Sequence, residues 1–84
     1  MSYKPTKFDV IADLRRAIYA SFSKDGFADI NARTFLQKAE TNLKKINLDN
    51  NVYSQVILRL KKAKDRKQPI EKRREDLLMV SSLV

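Results

Sequence analysis

The chain has 84 residues, 43 % of them hydrophobic, and sets 18 Lys plus Arg against 10 Asp plus Glu for a net charge of +8. That is one domain's length and too apolar for a disordered chain, and the charge favours an anionic partner: nucleic acid, a membrane face or an acidic protein surface. The absence of Cys and His and the single Gly remove disulfides, thiolate and imidazole catalysis, Cys- or His-ligated metals and Gly-rich phosphate loops, so a non-catalytic protein without cofactor or metal is expected.

In chain order, Thr6 with Asp9 three residues on resembles a capping box, in which the hydroxyl and the carboxylate satisfy amides that a helix start leaves unpaired. Phe8, Ile11, Leu14, Ile18 and Phe22 then recur at steps of three and four, predicting a helix over about 7–23 with Asp9, Asp13, Arg16 and Ala20 opposite the stripe. Gly26 suits the left-handed position that ends it. A second helix is expected over about 30–46, entered through Asp29 or Asn31, with Ala32, Phe35, Leu36, Ala39, Leu43 and Ile46 as its apolar face. Asn47 to Asn51 is turn chemistry, and Asp49 reads as the N-cap of a third helix over about 50–64. Its wide face is Val52, Tyr53, Val56, Ile57, Leu60 and Ala63, with Leu58 off it. After the polar run Asp65 to Gln68, Pro69 falls where a first helical residue needs no amide. The fourth helix would cover about 69–82, with Ile70, Arg74, Leu77, Leu78 and Ser81 along one side.

Four such helices with short connections predict an all-α fold, an antiparallel up-down four-helix bundle forming a single domain over 1–84. No apolar run reaches the roughly 20 residues of a membrane span. Met1-Ser-Tyr-Lys-Pro lacks the apolar stretch of a signal peptide. A cytoplasmic protein is therefore expected.

The cations are uneven. Arg59, Lys61, Lys62, Lys64, Arg66, Lys67, Lys72, Arg73 and Arg74 crowd the end of the third helix, the linker and the start of the fourth, offset within that span by Asp65 and Glu71. The bland reading is a solvated face in which cations favour a helix C-terminus; the functional one is a corner that docks on an anionic surface. For DNA, Glu71, Glu75 and Asp76 among those cations weaken a groove-reading fourth helix, and Ser54, Gln55, Arg59 and Lys62 on the third are a thin set of base-readers. Glu71 with Glu75, and Asp9 with Asp13, sit one helical turn apart, but neighbouring cations pair with such carboxylates more often than metals do. Phe8, Phe22 and Phe35 read as core residues, and Tyr19 and Tyr53 as interface rings with hydroxyls outward. The remaining aromatics, Tyr3 and Phe27, belong to the stripe or flank it. Leu77 to Val84 is more apolar than one buried stripe requires, which points to a partner, a dimer contact or a light membrane touch through residues such as Leu78 and Leu83, or to a fold-back over the bundle.

The pattern resembles the immunity proteins of pediocin-like bacteriocins, the enterocin A immunity family. The similarity runs from Ile11 to Leu83 as short matches: Ile11-Ala-Asp-Leu14 with Ile18 in the first helix, Ser23-Lys24-Asp25 in the first turn, and Leu36-Gln37-Lys38-Ala39 with Leu43-Lys44-Lys45 in the second helix. Leu48-Asp49 is similar to the next turn, Val52, Ile57 and Leu60 to the third helix, and Pro69-Ile70 with Glu75-Asp76-Leu77-Leu78 to the fourth. Family members usually continue into a C-terminal tail tied to the choice of bacteriocin, whereas this sequence ends at Val84. The resemblance implies a cytosolic, non-enzymatic protein that acts at the sugar-transport permease used by the bacteriocin as receptor, binding the permease/bacteriocin complex from the cytoplasmic side. The basic corner then suits a position near the anionic inner leaflet, with Leu77 to Val84 supplying specificity. Two alternatives stand beside it: a small basic nucleic-acid-binding regulator, and a structural or adaptor bundle that pairs through its apolar C-terminus.

Overall fold

The computed structural model describes residues 4–84, so readings that rest on Met1 to Tyr3, Tyr3 as a stripe residue included, lie outside the described residues. The described residues are all-α, with four α-helices of 14 residues each: α1 (Lys7–Ala20), α2 (Ile30–Leu43), α3 (Asn50–Ala63) and α4 (Ile70–Leu83). It divides into two compact units, residues 1–47 and 48–84, each a helical hairpin.

In the first hairpin α1 packs along α2. Asp13 meets Asn42 while Arg16 meets Phe35, so moving back along α1 moves forward along α2, and the pair is antiparallel. Thr6 and Asp9 close the expected capping box, with the Thr6 amide donating to Asp9 Oδ2 at 2.7 Å. The Asp29 carboxylate caps α2 by accepting from the amides of Asn31 (2.9 Å) and Ala32 (3.2 Å). Between the helices, Gly26 takes φ 58, the left-handed region open to it at no steric cost, and a 3₁₀ turn over Gly26–Ala28 buries Phe27. The buried apolar residues are Val10, Leu14, Ala17 and Ile18 on α1 and Ala32, Leu36, Ala39 and Leu43 on α2.

In the second hairpin α3 packs along α4. Arg59 meets Asp76 and Ala63 meets Arg73, again the antiparallel register. Asp49 caps α3 as expected, accepting from the Asn51 amide at 2.8 Å. Val56, Leu60, Ala63, Leu77 and Val80 are its buried apolar residues.

Several expectations are corrected. α1 and α2 stop about three residues short of the predicted ends, because the chain tightens into turns at Ser21 and Lys44. Pro69 is the N-cap of α4 with extended ψ rather than its first helical residue. Phe8 and Phe22 are not core residues: they are 69 % and 66 % exposed, and Tyr19, expected at an interface, is 74 % exposed. The cause is rotation of the buried face, which runs through Val10, Asp13, Leu14, Ala17 and Ile18. It leaves the Phe8 side of α1 outward and brings Asp13, expected on the polar side, inward. Phe35 is half-buried. Ile57 on α3 and Leu78 on α4 also turn outward, as Leu58 was expected to do.

Candidate functional site

The basic end of the second hairpin is built by three local devices. Lys61, Lys62 and Lys64 close α3, where the exposed carbonyls of a helix C-terminus favour positive charge. The connection turns through Asp65, whose carboxylate accepts from the Lys67 amide at 3.0 Å and whose backbone carbonyl accepts from the Gln68 amide at 3.1 Å. α4 then begins with Glu71 in its first turn, followed by Lys72, Arg73 and Arg74.

The nine candidate cations separate into two groups. Lys61, Lys62, Lys64, Arg66, Lys67 and Lys72 are exposed, whereas Arg59, Arg73 and Arg74 are half-buried. Arg73 donates through Nε to the Ala63 carbonyl at 2.6 Å, satisfying an acceptor that α3 leaves unpaired at its C-terminus and clipping the start of α4 to it. Partial burial pushes the Arg73 guanidinium below its ordinary range, neighbouring Arg66 pushes the same way, and Asp65 opposes them. Arg59 donates through Nη1 to Asp76 Oδ1 at 3.2 Å. Two of the nine thus hold the hairpin together as well as charging it.

Sequence reasoning missed the buried Asp76. It is 2 % exposed, and its Oδ2 has no hydrogen-bond partner among the described residues. A buried aspartate looks like a surface one in sequence. The usable signal was register: Arg59 and Asp76 are nearly equidistant from the Lys67–Gln68 connection, so a hairpin closed there sets them opposite each other. Beside this pair runs an open groove of about 430 Å³, lined by Arg59, Lys72, Glu75, Asp76, Leu78 and Met79. Its two cations and two carboxylates balance, so it attracts no ion strongly. Of the two apolar candidates, Leu78 is 52 % exposed and Leu83 is half-buried.

Among the described residues there is no group of three or more His, Cys, Asp or Glu able to hold a metal ion. No helix among them is long and apolar enough to cross a membrane. The arrangement is a cation-rich hairpin end, with the exposed Leu78 and the half-buried Leu83 further along α4. No protein family, curated protein or solved structure matches the chain.

Proposed function

We propose that the chain is a non-catalytic binding module that acts at the cytoplasmic face of a membrane, docking the basic end of its second hairpin on an anionic surface there. The observation that carries this is the cluster of six exposed cations between Lys61 and Lys72, gathered by one helix end, one connection and one helix start. Near an anionic leaflet each such cation contributes about 1 kcal/mol of attraction. Within this class the bacteriocin-immunity role, engagement of a permease/bacteriocin complex from the cytoplasmic side, is the specific reading, resting on the resemblance of short segments between Ile11 and Leu83.

Expression in bacteriocin-sensitive cells tests it: cells carrying the chain should survive a bacteriocin that kills cells with the empty vector. The nucleic-acid alternative is tested by anisotropy of labelled duplex DNA. A log affinity that falls linearly with log salt would favour that alternative. No binding at about 100 mM salt, where non-specific binders reach micromolar affinity, would remove it.

A further inference from the structure

We infer that the outward face of α1 is a separate contact surface, which enters the headgroup layer of an anionic bilayer through Phe8, Tyr19 and Phe22. This extends the membrane-side reading above but rests on the other hairpin.

Positions 8, 12, 15 and 19 follow the i, i+4, i+7, i+11 rhythm of one helix line. Phe22 continues it from the turn, where its amide donates to the Tyr19 carbonyl at 3.1 Å. Phe8, Tyr19 and Phe22 are 69 %, 74 % and 66 % exposed, on the side of α1 away from its buried residues. A single exposed ring needs no explanation, but three of the chain's seven aromatics on one line do.

Charge decides what covers them. Arg15 lies exposed within the line, and the exposed Lys7 holds its Nζ 5.4 Å from the centre of the Phe8 ring. Both carboxylates of α1 are drawn away from this face: Asp9 closes the capping box, and Asp13 is buried against Arg16 and Asn42. The face therefore presents rings and cations with no exposed acid of its own helix. A bilayer interface receives that combination well, with aromatic rings at headgroup depth and cations beside lipid phosphates. Along the helix axis, Phe8 and Tyr19 stand about 16 Å apart, which suits a helix lying flat on a soft surface. A single-stranded nucleic acid would instead need a charged groove to follow, and one convex helix offers none.

The chain contains no Trp, so Phe22→Trp in the full chain gives a single reporter at an exposed position. It is titrated with phosphatidylcholine vesicles with and without phosphatidylglycerol, then with brominated lipid. The inference expects a blue shift and bromine quenching with the anionic vesicles. Adding Phe8→Ser and Tyr19→Ser should lower vesicle affinity by about tenfold or more, given the apolar area withdrawn, with unchanged helical circular dichroism. Emission that ignores anionic vesicles overturns it. So does a shift produced by oligothymidylate in place of vesicles, or one produced by protein concentration alone, which would assign the face to nucleic acid or to a second copy of the chain. The vesicles hold no receptor protein, so failure here leaves the survival test untouched, and failure of that test leaves this one standing.

Discussion

Each hairpin buries one aspartate against an arginine, and the two are provided for differently. In the first, Asp13 spends both oxygens: Oδ1 accepts from Arg16 and Oδ2 from Asn42, each at 3.3 Å. In the second, Asp76 gives Oδ1 to Arg59 at 3.2 Å, while Oδ2 has no partner among the described residues. The outward surfaces differ in the same spirit. Both hairpins expose cations, but the first spreads them along the chain and sets three exposed rings, Phe8, Tyr19 and Phe22, among them, whereas the second gathers six between Lys61 and Lys72. Two hairpins with equal helix lengths and similar apolar interiors thus carry unlike working faces. Interior pattern builds the fold, and the residues it leaves out decide what each hairpin can touch.

The comparison can be stressed from the largest expected effect downward. Leu14 and Leu77 are both fully buried, so Leu14→Ala and Leu77→Ala should each cost about 2–5 kcal/mol in urea unfolding, showing that each hairpin depends on its own apolar anchor. If either substitution leaves stability unchanged, that hairpin's interior is not packed as described. Next comes the aspartate contrast. Arg59→Met strips Asp76 of its cation and should cost about 1–3 kcal/mol, recovered when Asp76→Leu is added, since a matched apolar pair avoids the desolvation cost. Arg16→Met should cost less than about 1 kcal/mol, because Arg16 is 59 % exposed and Asn42 still serves Asp13. Equal losses would erase the distinction. Smallest is the pair of connections: Gly26→Ala forces a Cβ into the left-handed region for about 1–2 kcal/mol, whereas Lys67→Ala, exposed and bonded there only through its backbone, should stay within about 0.5 kcal/mol.

Helix number and order, and most of the helix starts, were legible in the sequence because they depend on local chemistry; Pro69, expected inside α4, caps it instead. Asp29 and Asp49 announce helix starts through carboxylates that reach nearby amides, and Gly26 announces the reversal because it alone accepts positive φ cheaply. The basic cluster was equally legible, being contiguous in the chain. Which side of α1 faces inward was not. Phe8 and Phe22 outweigh Val10, Ala17 and Ser21 in hydrophobicity, so the sequence pattern points the stripe at the rings. Packing instead favours the small and branched side chains that fit beside α2. The division of the cations was hidden for a related reason. Arg59 and Arg73 look like their neighbours until α4 folds back, which brings Asp76 to Arg59 and Arg73 to the Ala63 carbonyl.

The central claim is that the basic end of the second hairpin is the surface that works. Its most direct test is survival of bacteriocin-challenged sensitive cells expressing either of two triple charge reversals, matched for expression and helical content. One changes Lys64, Arg66 and Lys67 to Glu; the other changes the exposed Lys24, Arg33 and Lys38 of the first hairpin to Glu. Both lower the net charge equally. The account predicts that protection is lost in the first variant and kept in the second. Full protection by the first variant, or equal loss in both, would contradict it.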